Sequence, residues 1–109
     1  MSTDGKFKHV GLLFKKESQT YDEFLDHWMN VHAKLAEKVP GLRGYVINPI
    51  DRREFPESPI DGFSELWFDS EADLISAFET TPEGLACIED VPNFMERVVI
   101  TNIKEARVK

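Results

Sequence analysis

TYDEFLDHWMNVHAKLAEKVPGLRGY, residues 20–45, reads as one amphipathic helix, a hard stop and the start of a strand. At about 100° per residue, Tyr21, Phe24, Leu25, Val31, Leu35 and Val39 fall within roughly 60° of Trp28 and form an apolar stripe. Asp22, Glu23, Asp26, Asn30, Ala33, Lys34 and Glu37 take the opposite arc. Thr20 and Glu23 make a T-x-x-E capping box at the start, and Pro40-Gly41 stops the helix. One residue breaks the pattern. His32 sits about 40° from Trp28, inside the apolar stripe. A titratable ring there is either an acid–base group facing a ligand or a core histidine bonded to a carbonyl.

Outward from this stretch, FKHVGLLF (7–14) is apolar on both faces, as in a strand covered on two sides. LRGYVIN (42–48), GFSELWFD (62–69) and ERVVITNIK (96–104) read as three more strands. In the third, Phe63, Glu65 and Trp67 point one way and Ser64, Leu66 and Phe68 the other. Ser70 with Asp73 opens a second helix at ADLISAFE. Pro82 starts a short further helix, PEGLACIE, and Pro92 marks another break. Polar residues 1–6 read as a frayed end. PIDRREFPESPID (49–61), with three prolines, reads as a mobile loop or a flap. The order βαββαβ predicts an α+β, ferredoxin-like fold: a four-stranded antiparallel sheet with its helices on one face. The bare face is too apolar for water. A second copy packed sheet to sheet would cover it, giving a homodimer of dimeric α+β barrel type.

A chain of 109 residues is expected to form one domain over 1–109. Twenty acidic residues against 13 basic ones leave a net charge of −7, which argues against nucleic acid and anionic membranes as partners. The single cysteine, Cys87, excludes an intramolecular disulfide and fits a reducing compartment; its neighbours Ala86 and Ile88 imply a buried, inert thiol. No signal-like apolar run and no stretch near the ~18 apolar residues of a membrane span is present, so a soluble cytoplasmic protein is expected.

Few residues are candidates for chemistry. Trp28 shares a face with His32 and serves either as a pocket wall or as plain core. Tyr45 offers a phenol from the next strand, as an acid or as a satisfied core hydroxyl. Glu65, between Phe63 and Trp67, is either a base or the partner of Arg43 or Arg97 at a subunit interface. Asp90 is placed to cap the turn at Val91-Pro92. His27 and His32 are five apart, about 140° round an α-helix, so they diverge. With no HxxxH, HExxH or CxxC spacing, no metal is expected. No Gly-rich phosphate loop or GxSxG occurs, which leaves nucleotide and serine-hydrolase chemistry without support.

Five pieces in order resemble the EthD-domain family of the dimeric α+β barrel superfamily. They are F24-x3-W28-x3-H32-A33, P40-G41-L42-x2-Y45, D61-G62-x2-E65-L66-W67-F68-D69-S70, P82-E83-G84 and D90-x3-F94, spread over residues 7–104. The resemblance implies a small-molecule pocket between helices and sheet, with His32 and Tyr45 looking into it. It also matches Asp90 and Phe94 to the family's late D-x3-F piece. Lys34 departs from the family's frequent His-Ala-Pro. Leu66 stands where related methylmuconolactone isomerases carry a cysteine, which weighs against thiol-assisted isomerisation.

The resulting expectation is a cofactor-independent enzyme acting on a small apolar or aromatic metabolite of xenobiotic, lactone or polyketide type. Its chemistry would be proton transfer, as in isomerisation, dehydration or cyclisation. Monooxygenase or haem chemistry, known in the superfamily, is a lesser option. His32 and Tyr45 would be catalytic. Trp28, Ser64, Leu66, Phe68 and Phe94 would line the substrate, Glu65 and Asp90 would be further polar groups, and 49–61 would close over the site. The alternative is a non-catalytic dimer that carries a hydrophobic ligand or supports an oxygenase. A His32–Tyr45 or His32–carboxylate pair facing a cavity would favour catalysis.

Overall fold

The four apolar runs become one sheet. In a computed structural model describing residues 7–109, the strands are β1 (Phe7–Lys15), β2 (Gly44–Pro49), β3 (Gly62–Phe68) and β4 (Met95–Ile103), ordered β2-β3-β1-β4. The expected frayed end at residues 1–6 lies outside the described residues. All three strand pairings are antiparallel. His9 faces Leu66, Gly11 faces Ser64, and Tyr45 faces Leu66 from the other side. These residues share one face. Lys8, Val10, Leu12, Phe63, Glu65 and Trp67 take the other. The chain is therefore α+β with a ferredoxin-like βαββαβ order, as the sequence predicts.

The first helical segment departs from a single regular helix. It consists of α1 (Tyr21–His27), a π-helical turn (Trp28–His32) and α2 (Ala33–Ala36). Its start follows the capping box: Thr20 Oγ1 accepts from the Glu23 amide at 3.1 Å, and Glu23 Oε1 accepts from the Thr20 amide at 2.8 Å. Gly41, with φ of 82°, reverses the chain beyond it. α3 (Glu71–Thr80) starts at Ser70, whose hydroxyl accepts from the Asp73 amide. α4 (Pro82–Phe94) is longer than the sequence reading. Pro92 does not break it, because the helix continues to Phe94 before turning into β4.

The helices leave two buried clusters on the sheet. Leu13, Phe24, Trp28, Phe94 and Met95 form one; Ala36, Val39, Leu66, Phe68, Leu74, Ala77 and Cys87 form the other. A cavity occupies the seam between them. Among the described residues no helix covers the opposite sheet face, and Val46, Val99 and Ile103 are exposed there. No helix among the described residues is long and apolar enough to cross a membrane.

The 49–61 loop is neither free nor placed over the cavity. The Arg52 guanidinium donates to the carbonyls of Phe55, Pro56, Ser58 and Ile60 and to the Asp61 carboxylate. The loop is thus wrapped around one of its own side chains. Asp61 ties it to β1 by accepting from the Lys15 amide at 2.8 Å. The Tyr21 hydroxyl adds 2.7 and 2.9 Å contacts to the Ile50 and Asp61 carbonyls. None of residues 49–61 lines the cavity in this structure.

Candidate functional site

The site begins with a helical irregularity. Within the π turn, the Ala33 amide donates to the Trp28 carbonyl, a five-residue step. A π turn takes up one extra residue per turn, so residues five apart face the same way. His27 and His32 therefore converge, against the 140° separation of a regular α-helix. The same extra residue rotates Val31 off the stripe, and it is exposed.

Both rings meet one carboxylate. His27 Nε2 lies 2.9 Å from each Asp90 oxygen, and His32 Nδ1 lies 2.9 Å from Oδ2. Asn93 Nδ2 donates to Oδ1 at 3.0 Å. Phe94 packs behind both rings, with centroids 4.7 Å from His27 and 4.9 Å from His32. Asp90 is buried within α4 and does not cap a turn. Burial alone would push its carboxyl up, but the donors Asn93, His32 and His27 together bring it below its ordinary value. His32 moves down as well: burial disfavours its charged form and outweighs the attraction of Asp90. The arrangement is an ionised carboxylate beside a neutral imidazole. With Nδ1 donating to Asp90, Nε2 of His32 keeps its lone pair.

The cavity beside His32 holds about 530 Å³. Leu13, Trp28, Ala36, Leu66, Leu74 and Met95 are among its apolar walls, with Ile75, Ile88 and Ile100 exposed around it. Tyr45, Ser64, His9, Cys87 and Glu79 bring polar atoms to its lining. Burial pushes the Tyr45 phenol up to about 12, with the Trp28 indole N–H as an opposing donor. It also pushes the Cys87 thiol up to about 11, so that thiol is poorly ionised. The floor is open because β1 has no side chain at Gly11. A Cβ there would come within 3.1 Å of Ser64 Oγ.

Of the residues singled out from sequence, His32, Tyr45, Trp28, Ser64 and Leu66 line this cavity. Phe68 and Phe94 do not; both are fully buried, one under α3 and α4, one behind the histidines. Glu65 points to the opposite sheet face. There it pairs with Lys8 at 2.7 Å and accepts from Asn48 at 3.0 Å, so within the chain its basic partner is Lys8 and not Arg43 or Arg97. Arg43 bonds Asp69, and Arg97 stacks on Phe14. Lys8 holds the Glu65 carboxyl below its ordinary range. Two residues were not among the sequence candidates for chemistry: His27, which a regular helix would turn away from His32, and His9 at the cavity floor, whose Nδ1 is 2.9 Å from Asn102 Oδ1. Asp90 carried a readable signal. It lies three residues after Cys87 and four before Phe94, a charge on the buried stripe of α4.

Residues 16–97 match the EthD domain. The chain belongs to the EthD-domain family. Among solved structures, this EthD protein is similar to an ethyl tert-butyl ether D (EthD) family protein from Bacillus halodurans. The identity is 26%, with 92% of this chain and 99% of that chain covered, at a TM-score of 0.77. It shares its fold with a dimeric ferredoxin-like protein of unknown function from Bacteroides fragilis (17% identity, 91% and 95% covered, TM-score 0.69). The same holds for the hydroxynitrile lyase of Passiflora edulis (17% identity, 89% and 90% covered, TM-score 0.69). No match to a protein of curated function was found for this EthD protein.

Proposed function

We propose that this EthD protein is a cofactor-independent enzyme that moves a proton on a small, uncharged, largely apolar molecule, in an isomerisation, dehydration, cyclisation or related elimination. The observation that carries the reading is His32 at the wall of an apolar cavity with Asp90 behind it. In this reading, His32 Nε2 removes a proton from the substrate, Asp90 stabilises the imidazolium through Nδ1–H, and the proton is returned to the substrate or leaving group. Tyr45 stays protonated at neutral pH and, with Ser64, donates to the oxygen on which charge develops.

The lining supports an uncharged ligand. No Lys or Arg lines the cavity among the described residues, and its wall carries Glu79. A buried carboxylate or phosphate would lack a counter-ion. A volume of about 530 Å³ suits a one- or two-ring molecule. That a protein of this fold is a hydroxynitrile lyase supports the fold as a host for such chemistry. A homodimer is part of the proposal, supported by the exposed apolar sheet face and by dimeric proteins of the same fold.

The test is a thermal-shift screen of wild type and His32→Ala with lactones, phenols and polyketide-like aromatics, followed by turnover on the hits. His32→Ala should lower turnover by about 10²–10⁴-fold while leaving the melting point within a few degrees. Equal turnover by both proteins rejects the base. Binding with no turnover of any hit moves the assignment to a carrier.

A further inference from the structure

His27 does not line the cavity, yet it holds Asp90 as closely as His32 does. A carboxylate free to turn about its last bond offers His32 either oxygen in several orientations. Here Asn93 takes a position on Oδ1, and His27 Nε2 stands 2.9 Å from both oxygens. Oδ2 is the oxygen that meets His32, 2.9 Å from Nδ1. His27 is itself fixed: it stacks on the fully buried Phe94 with ring planes 23° apart, and the π turn aims it at Asp90. The titratable groups facing Asp90 are His27 and His32 from the first helical segment and Cys87 from α4 itself.

We propose that His27 is a positioning residue for the site: acting through Asp90, it fixes which nitrogen of His32 carries the proton and leaves Nε2 bare towards the cavity. The inference rests on the acid–base reading of His32 and adds a second histidine to it. It also assigns a purpose to the π turn, since on a regular helix His27 would face elsewhere.

The experiment is nitrogen NMR of the ligand-free protein labelled with ¹⁵N-histidine, over a pH titration. In wild type near neutral pH, His27 Nε2 and His32 Nδ1 should both be N–H and His32 Nε2 bare. His27→Phe keeps a ring on Phe94 but removes the donor. His32 should then become a mixture of tautomers, and its titration should move to higher pH because a neighbouring charge is gone. His27→Gln puts an amide N–H where Nε2 was and should restore the single tautomer. A bare Nε2 on His27 in wild type overturns the inference, as does a His27→Phe protein with unchanged His32 shifts. Should His27→Phe not fold, the wild-type assignment decides. These resonances are read without substrate, so failure here is distinct from failure of the acid–base reading, which is judged on turnover by His32→Ala.

Discussion

His32 and Asp90 are the same kind of anomaly on two helices: a polar side chain at a position where the helical period calls for an apolar one. His32 was legible because its helix was read at full length. Asp90 reads as a turn cap as long as Pro92 ends the helix, since Phe94 then falls outside the stripe that exposes the anomaly. The neutral state of His32 fixes the pH behaviour. Its pKa lies below the ordinary 6.5, so kcat/KM should rise with pH to a plateau reached by about neutrality. Tyr45, pushed up to about 12, should cause no fall in the neutral range. Asp90→Asn should lower the plateau by roughly 10²–10⁴-fold, as loss of an orienting carboxylate does, with the loss read from kcat at saturating substrate.

The same two groups also make stability depend on pH. Below pH 6.5 the unfolded chain takes up a proton on His32 that the folded chain resists. Stability therefore drops as pH falls from 6.5 and levels off below the folded pKa of His32. Asp90 has a folded pKa below 3.8; its contribution is present above 3.8 and lost as pH falls through the folded value. Urea midpoints measured across pH should show two descending stages, and His32→Gln should erase the upper one.

At the scale of elements, the strands, both helix caps and the alternation of β3 follow from local patterns, and the structure keeps them within one or two residues. The π turn does not follow from them. A wheel at 100° per residue assumes a constant period, and no residue type within WMNVH demands an extra residue in the turn. The turn is held instead by tertiary contacts, with Trp28 buried on one side and His27 and His32 bound to α4. Asn30 is exposed, and among the described residues its side chain bonds only Asp26. Deleting Asn30 should convert the turn to regular α-helix with the two histidines four apart, about 40° round the axis, so both still reach Asp90. Retained ¹⁵N-histidine shifts and an unchanged or higher melting point are the expected result. Loss of the fold on deletion would mean that the packing of Trp28 needs the wider turn.

For the molecule as a whole, the fold class was readable because βαββαβ with two-sided apolar strands admits few arrangements. Which face of the sheet held the cavity was not readable, since both faces are apolar; only the position of the helices decides it. Glu65 illustrates the ambiguity. Its partner, Lys8, is on β1 and becomes a neighbour only through strand register. The uncovered face should associate with a second copy. Sedimentation at micromolar concentration should give a dimer, and its melting point should rise with concentration. Val99→Lys, at an exposed position on that face, should yield a monomer whose melting point no longer depends on concentration.

To a protease, the 49–61 segment is not the open target its length and prolines imply. Trypsin needs an extended stretch of chain and a free basic side chain to enter its specificity pocket. Arg52 offers neither, because its guanidinium holds four backbone carbonyls and Asp61 together. Arg53, exposed and next in the chain, is the accessible cut site, and it is followed by the acidic Glu54, a poor context for cleavage. Digestion of the native protein should therefore be slow across a loop that looks made for it. Arg52→Gln should make the same loop the first place the chain is cut.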